Sequence, residues 1–168
     1  MKIKLSQAIT LMSVIKKRIQ ELKREREEVS YLLVEKGEQY ELPVDRTFNQ
    51  VVSELEAAQK DLLELETAIA QANVTSTIQW DEKQITIGEA IQLAKLYREQ
   101  AREHATYGSK RNNTPYGTNM YQVLTYDPKK YAELSQKLNR KANKLSELID
   151  EVNILTYIDF PRYHIYMD

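Results

Sequence analysis

The chain has no cysteine, and only four glycines, four prolines, two histidines and one tryptophan in 168 residues. Without cysteine there is no disulfide framework, thiolate metal site or thiol nucleophile, and nothing requires an oxidising compartment. Glycine and proline together make up about 5% of the chain against about 12% in average usage. That is too little punctuation for a hairpin-rich all-β fold, so helices should dominate. No apolar run approaches the length of a membrane span, and the N-terminus reads as an amphipathic helix and not a signal peptide, so the expected location is cytoplasmic. Gly-rich phosphate loops, His-Glu-x-x-His and a Ser nucleophile elbow are all missing. The residues three positions before His104 and His164 are Ala101 and Pro161, which removes the helix-bundle di-iron motif. The expectation is a non-enzymatic protein with no cofactor and no metal site. The 24 basic and 25 acidic residues nearly cancel, so bulk charge argues neither for nor against nucleic acid or membrane.

What is present is helical periodicity. Leu5, Ala8, Met12, Ile15, Ile19, Leu22, Arg26, Val29 and Leu33 alternate spacings of three and four, a heptad seam. Ser6 is the expected N-cap and Gly37 the expected stop, giving a helix of about 30 residues. After a break through Glu38, Tyr40 and Pro43, Asp45 can cap a second helix. Its seam is Phe48, Val51, Leu55, Ala58, Leu62, Leu65, Ile69 and Ala72. The β-branched residues and polar turn between Asn73 and Gln84 predict a small β-hairpin or an ordered loop. Thr86-Ile87-Gly88-Glu89 fits a capping box that opens a third helix to about Thr106. An irregular polar stretch follows, then a strand-like Met120 to Tyr126. Asp127-Pro128 starts a fourth helix with a seam at Tyr131, Leu134, Leu138, Lys141, Leu145, Leu148, Val152 and Leu155. The predicted class is mainly α: long antiparallel helical hairpins, four main helices with coiled-coil-like packing, and a small β element, in an oligomer. A single domain is expected over 1–158, with an aromatic tail over 159–168. No internal repeat of solenoid period is visible.

Charge is unevenly distributed. Residues 37–82 carry two basic and ten acidic groups, whereas 108–144 carry eight basic and two acidic. The basic block either pairs within the bundle or meets an anion such as a nucleotide phosphate or nucleic acid. Six of the eleven tyrosines lie between Tyr97 and Tyr131, a composition shared by nucleic-acid platforms and ordinary bundle interfaces. Glu25, Glu27 and Glu28, and Glu54, Glu56, Asp61, Glu64 and Glu66, interleave with the seams and read as solvated faces. The two histidines read as surface residues. A ligand site can be assembled from Asn73 and Thr75 with Tyr107, Lys110, Arg111, Asn113 and Tyr116. Asn and Thr would supply neutral donors and acceptors, Lys and Arg would neutralise phosphate, and Tyr would stack on a base or ribose. The competing reading is that these residues only cap helices and turns.

These segments resemble the septicolysin-like family of helical proteins from bacteria and phages. The resemblance runs to about Ile158. It rests on Leu5-Ser6-Gln7-Ala8, Lys17-Arg18-Ile19, Asn73-Val74-Thr75-Ser76, the Thr86 to Ala90 helix start, the strand before Asp127, and Leu145 to Asn153. It implies long helical hairpins with a small β element that assemble as oligomers. The chain departs from the family pattern at Met12, at Leu93-Ala94-Lys95 and through Asn112 to Asn119, so its ligand is expected to differ from the family's. The leading expectation is an oligomer that binds or sequesters a small anionic, nucleotide-derived ligand at a subunit interface, in the manner of a phage-type immune-signal sponge. The alternatives are a structural scaffold without a ligand, and a nucleic-acid-binding protein using the basic 108–144 block.

Overall fold

A computed structural model describes residues 1–42 and 45–167. It is mainly helical, with five helices and four short strands among the described residues, and it divides into two compact units. The first unit comprises Met1–Ala72 and Asn153–Asp168, the second Asn73–Val152.

In the first unit, β1 (Lys2–Lys4) runs directly into α1 (Leu5–Glu28), where the Gln7 side chain accepts the Lys4 amide at 2.9 Å. This Gln7 contact, and not the expected Ser6 cap, marks the helix start. Leu5, Ala8, Leu11, Ile15, Ile19 and Leu22 are buried along one stripe. Leu11 therefore takes the place expected for Met12, because a straight helix follows 3.6 residues per turn and drifts off a strict heptad. The helix also ends earlier than expected. Glu25, Glu27 and Glu28 crowd carboxylates at a C-terminus where the backbone dipole favours cations, and Ser30 Oγ turns back onto the Glu27 carbonyl at 2.6 Å. Leu33, expected on the seam, is 89% exposed. Gly37, at φ +98°, lies in the connection and not at a helix end. The expected break at Pro43 lies outside the described residues.

Helix α2 (Phe48–Thr75) is capped by Thr47 and not by Asp45: the Thr47 hydroxyl accepts the Gln50 amide and the Gln50 side chain accepts the Thr47 amide. Val51, Leu55, Ala58, Leu65 and Ala72 of the expected seam are buried, whereas Leu62 and Ile69 are half-buried and Phe48 is exposed. Near the chain end, β4 (Tyr157–Asp159) pairs antiparallel with β1, with Ile3 opposite Ile158, and α5 (Tyr163–Met167) follows. The expected aromatic tail is thus an element of this unit, with Phe160 buried in it.

In the second unit the residues after Asn73 form the expected hairpin, β2 (Thr77–Trp80) paired with β3 (Lys83–Thr86) through Asp81 and Glu82, both at positive φ. Helix α3 (Ile87–Gly108) opens on the expected capping box: Thr86 Oγ1 accepts the Glu89 amide at 3.2 Å, and the Glu89 carboxylate accepts the Thr86 amide at 2.7 Å. The Thr86 amide, and the Thr86 hydroxyl 2.9 Å from the same carboxylate, hold the Glu89 carboxyl below its ordinary pKa. Thr86→Ala is expected to lower stability by about 1 kcal/mol, measured by urea unfolding. Helix α4 (Pro128–Leu155) is capped by Asp127, which accepts the Lys129 amide at 2.9 Å. Met120–Tyr126 is not a strand; residues 109–127 are irregular, with one bridge between Asn113 and Gln122. The buried line of α4 is Ser135, Ala142, Leu145 and Ile149, so Leu134, Leu138 and Leu148 of the expected seam are only half-buried. Small residues win the buried line because they permit close approach: the Ser135 hydroxyl donates to the Ala101 carbonyl of α3 at 2.7 Å.

The two units are built from a long internal repeat, with a period of about half the chain. Ile3–Leu11 (IKLSQAITL) matches Ile85–Leu93 (ITIGEAIQL), and Asn73–Trp80 (NVTSTIQW) matches Asn153–Phe160 (NILTYIDF). Helices α2 and α4 both have 28 residues. The Leu5 amide donates to the Thr156 carbonyl as the Ile87 amide donates to that of Ser76. The cross-helix contact Lys16–Glu66 recurs as Arg98–Ser146. Each sequence repeat is thus a strand, a helix, a connection, a helix and a strand, from β1 to β2 and from β3 to β4, and each two-stranded sheet pairs strands of different repeats.

Candidate functional site

The repeat places a groove at the same position in each unit. In the first unit, α1 supplies Arg18, Glu21 and Leu22, and α2 supplies Glu54, Ala57, Ala58 and Asp61, around a cavity of about 790 Å³. The small Ala57 and Ala58 leave the space. The C-terminal segment enters it with Arg162, Ile165 and Tyr166. Asp61, expected on a solvated face, is 6% exposed. It meets Arg162 Nε at 2.6 Å and accepts the Tyr166 hydroxyl at 2.7 Å. Arg162 also bonds Glu64. Burial, reinforced by the Asp61 carboxylate, pushes the Tyr166 phenol above its ordinary pKa. Glu25 and Glu54 are likewise not free carboxylates: Arg46 pairs with both, Arg18 lies 3.0 Å from Glu54, and hydrogen bonds from Arg46 lower both pKa values. Most charges in this groove are internally satisfied.

In the second unit the corresponding wall is formed by Gln100, Glu103, His104, Leu134, Lys137, Leu138 and Lys141, seven positions that match seven of the first groove. A cavity of about 390 Å³ there shares Lys137 and Lys141 with one of about 500 Å³ lined by Trp80, Asp81, Arg140, Lys144 and Leu148. Among the described residues no counterpart of α5 covers this groove, since the chain turns at Asp81 and Glu82 into β3. Four cations, Lys137, Arg140, Lys141 and Lys144, face one carboxylate at the Trp80 end, Asp81, which lies 3.7 Å from Lys141. Lys141 also sits 5.6 Å from the centre of the Tyr97 ring. The Trp80 indole N–H is withdrawn from solvent with no acceptor among the described residues. His104, expected at the surface, is half-buried and packs on Tyr131 with ring centres 5.5 Å apart.

The residues proposed from sequence do not form one site within this unit. Asn73 and Thr75 lie at the end of α2, beside the start of α3, where the Asn73 carbonyl approaches Gly88. Tyr107, Lys110, Arg111, Asn113 and Tyr116 lie at the opposite end of α3, about 30 Å of helix away. Tyr107 is engaged by other rings, edge-on to Tyr126 at 5.6 Å and tilted to Tyr131 at 5.8 Å, with Lys110 over its face at 5.1 Å. The Arg111 guanidinium bonds the Lys110 carbonyl at 3.0 Å, Asn113 bridges to Gln122, and Tyr116 is fully exposed. The second half of the basic block does converge, at Lys137, Arg140, Lys141 and Lys144. Sequence reasoning missed Trp80 as a site residue. The signal was the chain's lone tryptophan next to a hairpin turn, with lysines repeating along α4.

Among the described residues no group of three or more His, Asp or Glu is placed to hold a metal, and no helix is long and apolar enough to cross a membrane. No protein-family model matches the chain, and no curated protein matches it. A similar fold occurs in the crystal structure of a functionally unknown conserved protein from Corynebacterium diphtheriae. It is 15% identical, with a TM-score of 0.74 over 95% of this chain and 100% of that one. At that identity the likeness concerns the fold alone.

Proposed function

We propose that the protein is a non-enzymatic binding protein that holds a small anionic, nucleotide-derived ligand in the second unit's groove. The observation that carries this reading is the convergence of Lys137, Arg140, Lys141 and Lys144 on a cavity of about 500 Å³ beside Trp80, with Asp81 the one carboxylate in its lining. These four side chains lie within two turns on one face of α4, where an anion would meet several cationic groups at once. An indole edge or face gives such a ligand an aromatic neighbour. Sequestration of a signalling nucleotide, as in an immune-signal sponge, needs this affinity and no catalytic group. The resemblance to the septicolysin-like family, with its phage members, fits such a role. Because Trp80 is the chain's one tryptophan, its fluorescence reports on the groove directly. Titration with a panel of mono-, di- and cyclic nucleotides is expected to change its emission saturably, and the response should weaken as salt rises. Emission and calorimetry both flat across the panel would exclude the function.

The protein is further proposed to act as an oligomer. The two 19-residue connections, 29–47 and 109–127, support this, since Leu33, Tyr40, Leu42, Tyr116, Met120 and Tyr121 stand exposed in them. Apolar side chains grouped this way are characteristic of association surfaces, and the occupant proposed is a second copy of the chain. Sedimentation velocity should show a multimer that Leu42→Ser with Tyr121→Ser dissociates. A monomer at all concentrations would leave the groove as the whole of the site.

A further inference from the structure

The first groove shows how its counterpart is to be filled. There Arg162 spans two carboxylates three residues apart on α2, Asp61 and Glu64, and Tyr166 adds a ring-borne hydroxyl to Asp61. Ile165 supplies an apolar side chain to the same cavity. The C-terminal segment is therefore an intramolecular occupant with a charged head and an apolar, aromatic body.

In the second unit the matching positions on α4 carry the opposite charge. Asp61 corresponds to Lys141 and Glu64 to Lys144, while Glu54 and Ala58 correspond to Leu134 and Leu138. The charge at the head position is reversed, the body position is more apolar, and the covering segment is absent. Asp81, in the turn that replaces the start of the covering segment, already touches Lys141 at 3.7 Å as a weak internal counter-ion.

Resting on the nucleotide-binding reading above, we infer that this groove takes an aromatic monophosphate in the pose of the C-terminal segment. The phosphate bridges Lys141 and Lys144 where Arg162 bridges Asp61 and Glu64, and the ring lies over Leu134 and Leu138. A dianionic phosphate offers three acceptor oxygens to two ammonium groups one helical turn apart. It outcompetes the single carboxylate of Asp81, which is then released to solvent. The half-buried Leu134 and Leu138 lose their remaining exposure under the ring, so the ring contributes affinity that phosphate alone lacks. Lys137 and Arg140 flank the phosphate position and tighten binding without deciding the pose.

The test compares AMP, ribose 5-phosphate and inorganic phosphate on the full chain at constant ionic strength, by Trp80 emission and calorimetry, with circular dichroism confirming that each variant folds. AMP should bind at least about tenfold more tightly than ribose 5-phosphate. Lys141→Gln and Lys144→Gln should each weaken all bound phosphates by about tenfold. Leu138→Ser should reduce the preference for AMP over ribose 5-phosphate to about threefold or less while leaving phosphate affinity unchanged. If AMP binds but Lys141→Gln is without effect, or Leu138→Ser leaves the preference intact, this pose is overturned and the nucleotide-binding reading stands. If AMP fails to bind while another nucleotide in the panel does, the pose is likewise overturned. If no nucleotide binds, both fall.

Discussion

Phe160→Ala is expected to destabilise the protein by about 3–5 kcal/mol, the range for removing a buried aromatic side chain and leaving a cavity. Phe160 is 1% exposed, and its amide donates to the Met1 carbonyl at 2.9 Å, so the residue closes the β1–β4 end of the first unit. The ring also lies beneath Arg162, whose guanidinium carbon is 5.7 Å from its centre. Loss of the ring thus loosens the residue that ties the C-terminal segment to Asp61. Trp80 occupies the matching position of the other repeat and is half-buried. Trp80→Ala removes more side-chain volume yet is expected to cost less, because part of its surface is already in water whereas Phe160 is fully enclosed. Urea unfolding of the two variants, compared at equal slope, checks the contrast. A larger loss for Trp80→Ala would mean that the tryptophan is a core residue and not a wall of an open groove.

The second large effect is expected at Gly108. A Cβ built there would lie 2.8 Å from the Ala132 amide nitrogen and 2.9 Å from its Cα, both backbone atoms of the first turns of α4. Backbone cannot rotate away as a side chain can, so the end of α3 and the start of α4 must separate. Gly108→Ala is expected to cost about 1–3 kcal/mol and Gly108→Val more, the range for overpacking. The intrinsic preference of a helix for alanine over glycine is about 1 kcal/mol in a helix interior. It is smaller for the last helical residue, so the clash wins. Gly88→Ala provides the control: its Cβ would meet only ordinary contacts, the nearest at 3.5 Å. Stability there should hold or rise by about 0.4–1 kcal/mol through the unfolded chain. Thermal unfolding should therefore shift down for Gly108→Ala while it holds or shifts up for Gly88→Ala. If Gly108→Ala is neutral, the close approach of α3 and α4 is not a constraint on the fold.

The C-terminal segment and its groove also bear on how the repeat diverged. The first unit covers its groove with its own chain and satisfies its charges by pairing Asp61, Arg162 and Tyr166. The second carries Lys141 and Lys144 at the matching positions and no cover. On the proposed reading, reversal of two charges and omission of one short segment would turn a structural contact into a binding surface, because the matching helices supply the remaining walls.

Composition and local pattern by themselves determined the helical class, the order of four long helices, the hairpin after Asn73 and two helix starts. Thr86-x-x-Glu89 and Asp127-Pro128 are local hydrogen-bonding units, complete within four residues, so the chain states them without reference to anything distant. The seam of α2 was legible for the same reason, since leucine and valine at helical spacing define one face. Tertiary structure alone decided the rest. Asp61 looks like any other carboxylate on α2, and only the arrival of Arg162 and Tyr166 from a hundred residues away makes its burial tolerable. Ser135 and Ala142 carry no hydrophobic signal, yet they hold the buried line of α4 because small side chains let α3 come close. Asn73 and Tyr107 carry the right chemistry for one site, but the rigid length of α3 keeps them apart. Lys137, Arg140, Lys141 and Lys144 are a basic run in the sequence, and Trp80 is a strand residue more than fifty positions before them. That they share a groove depends on strand pairing and helix packing, which residue types along a line do not encode.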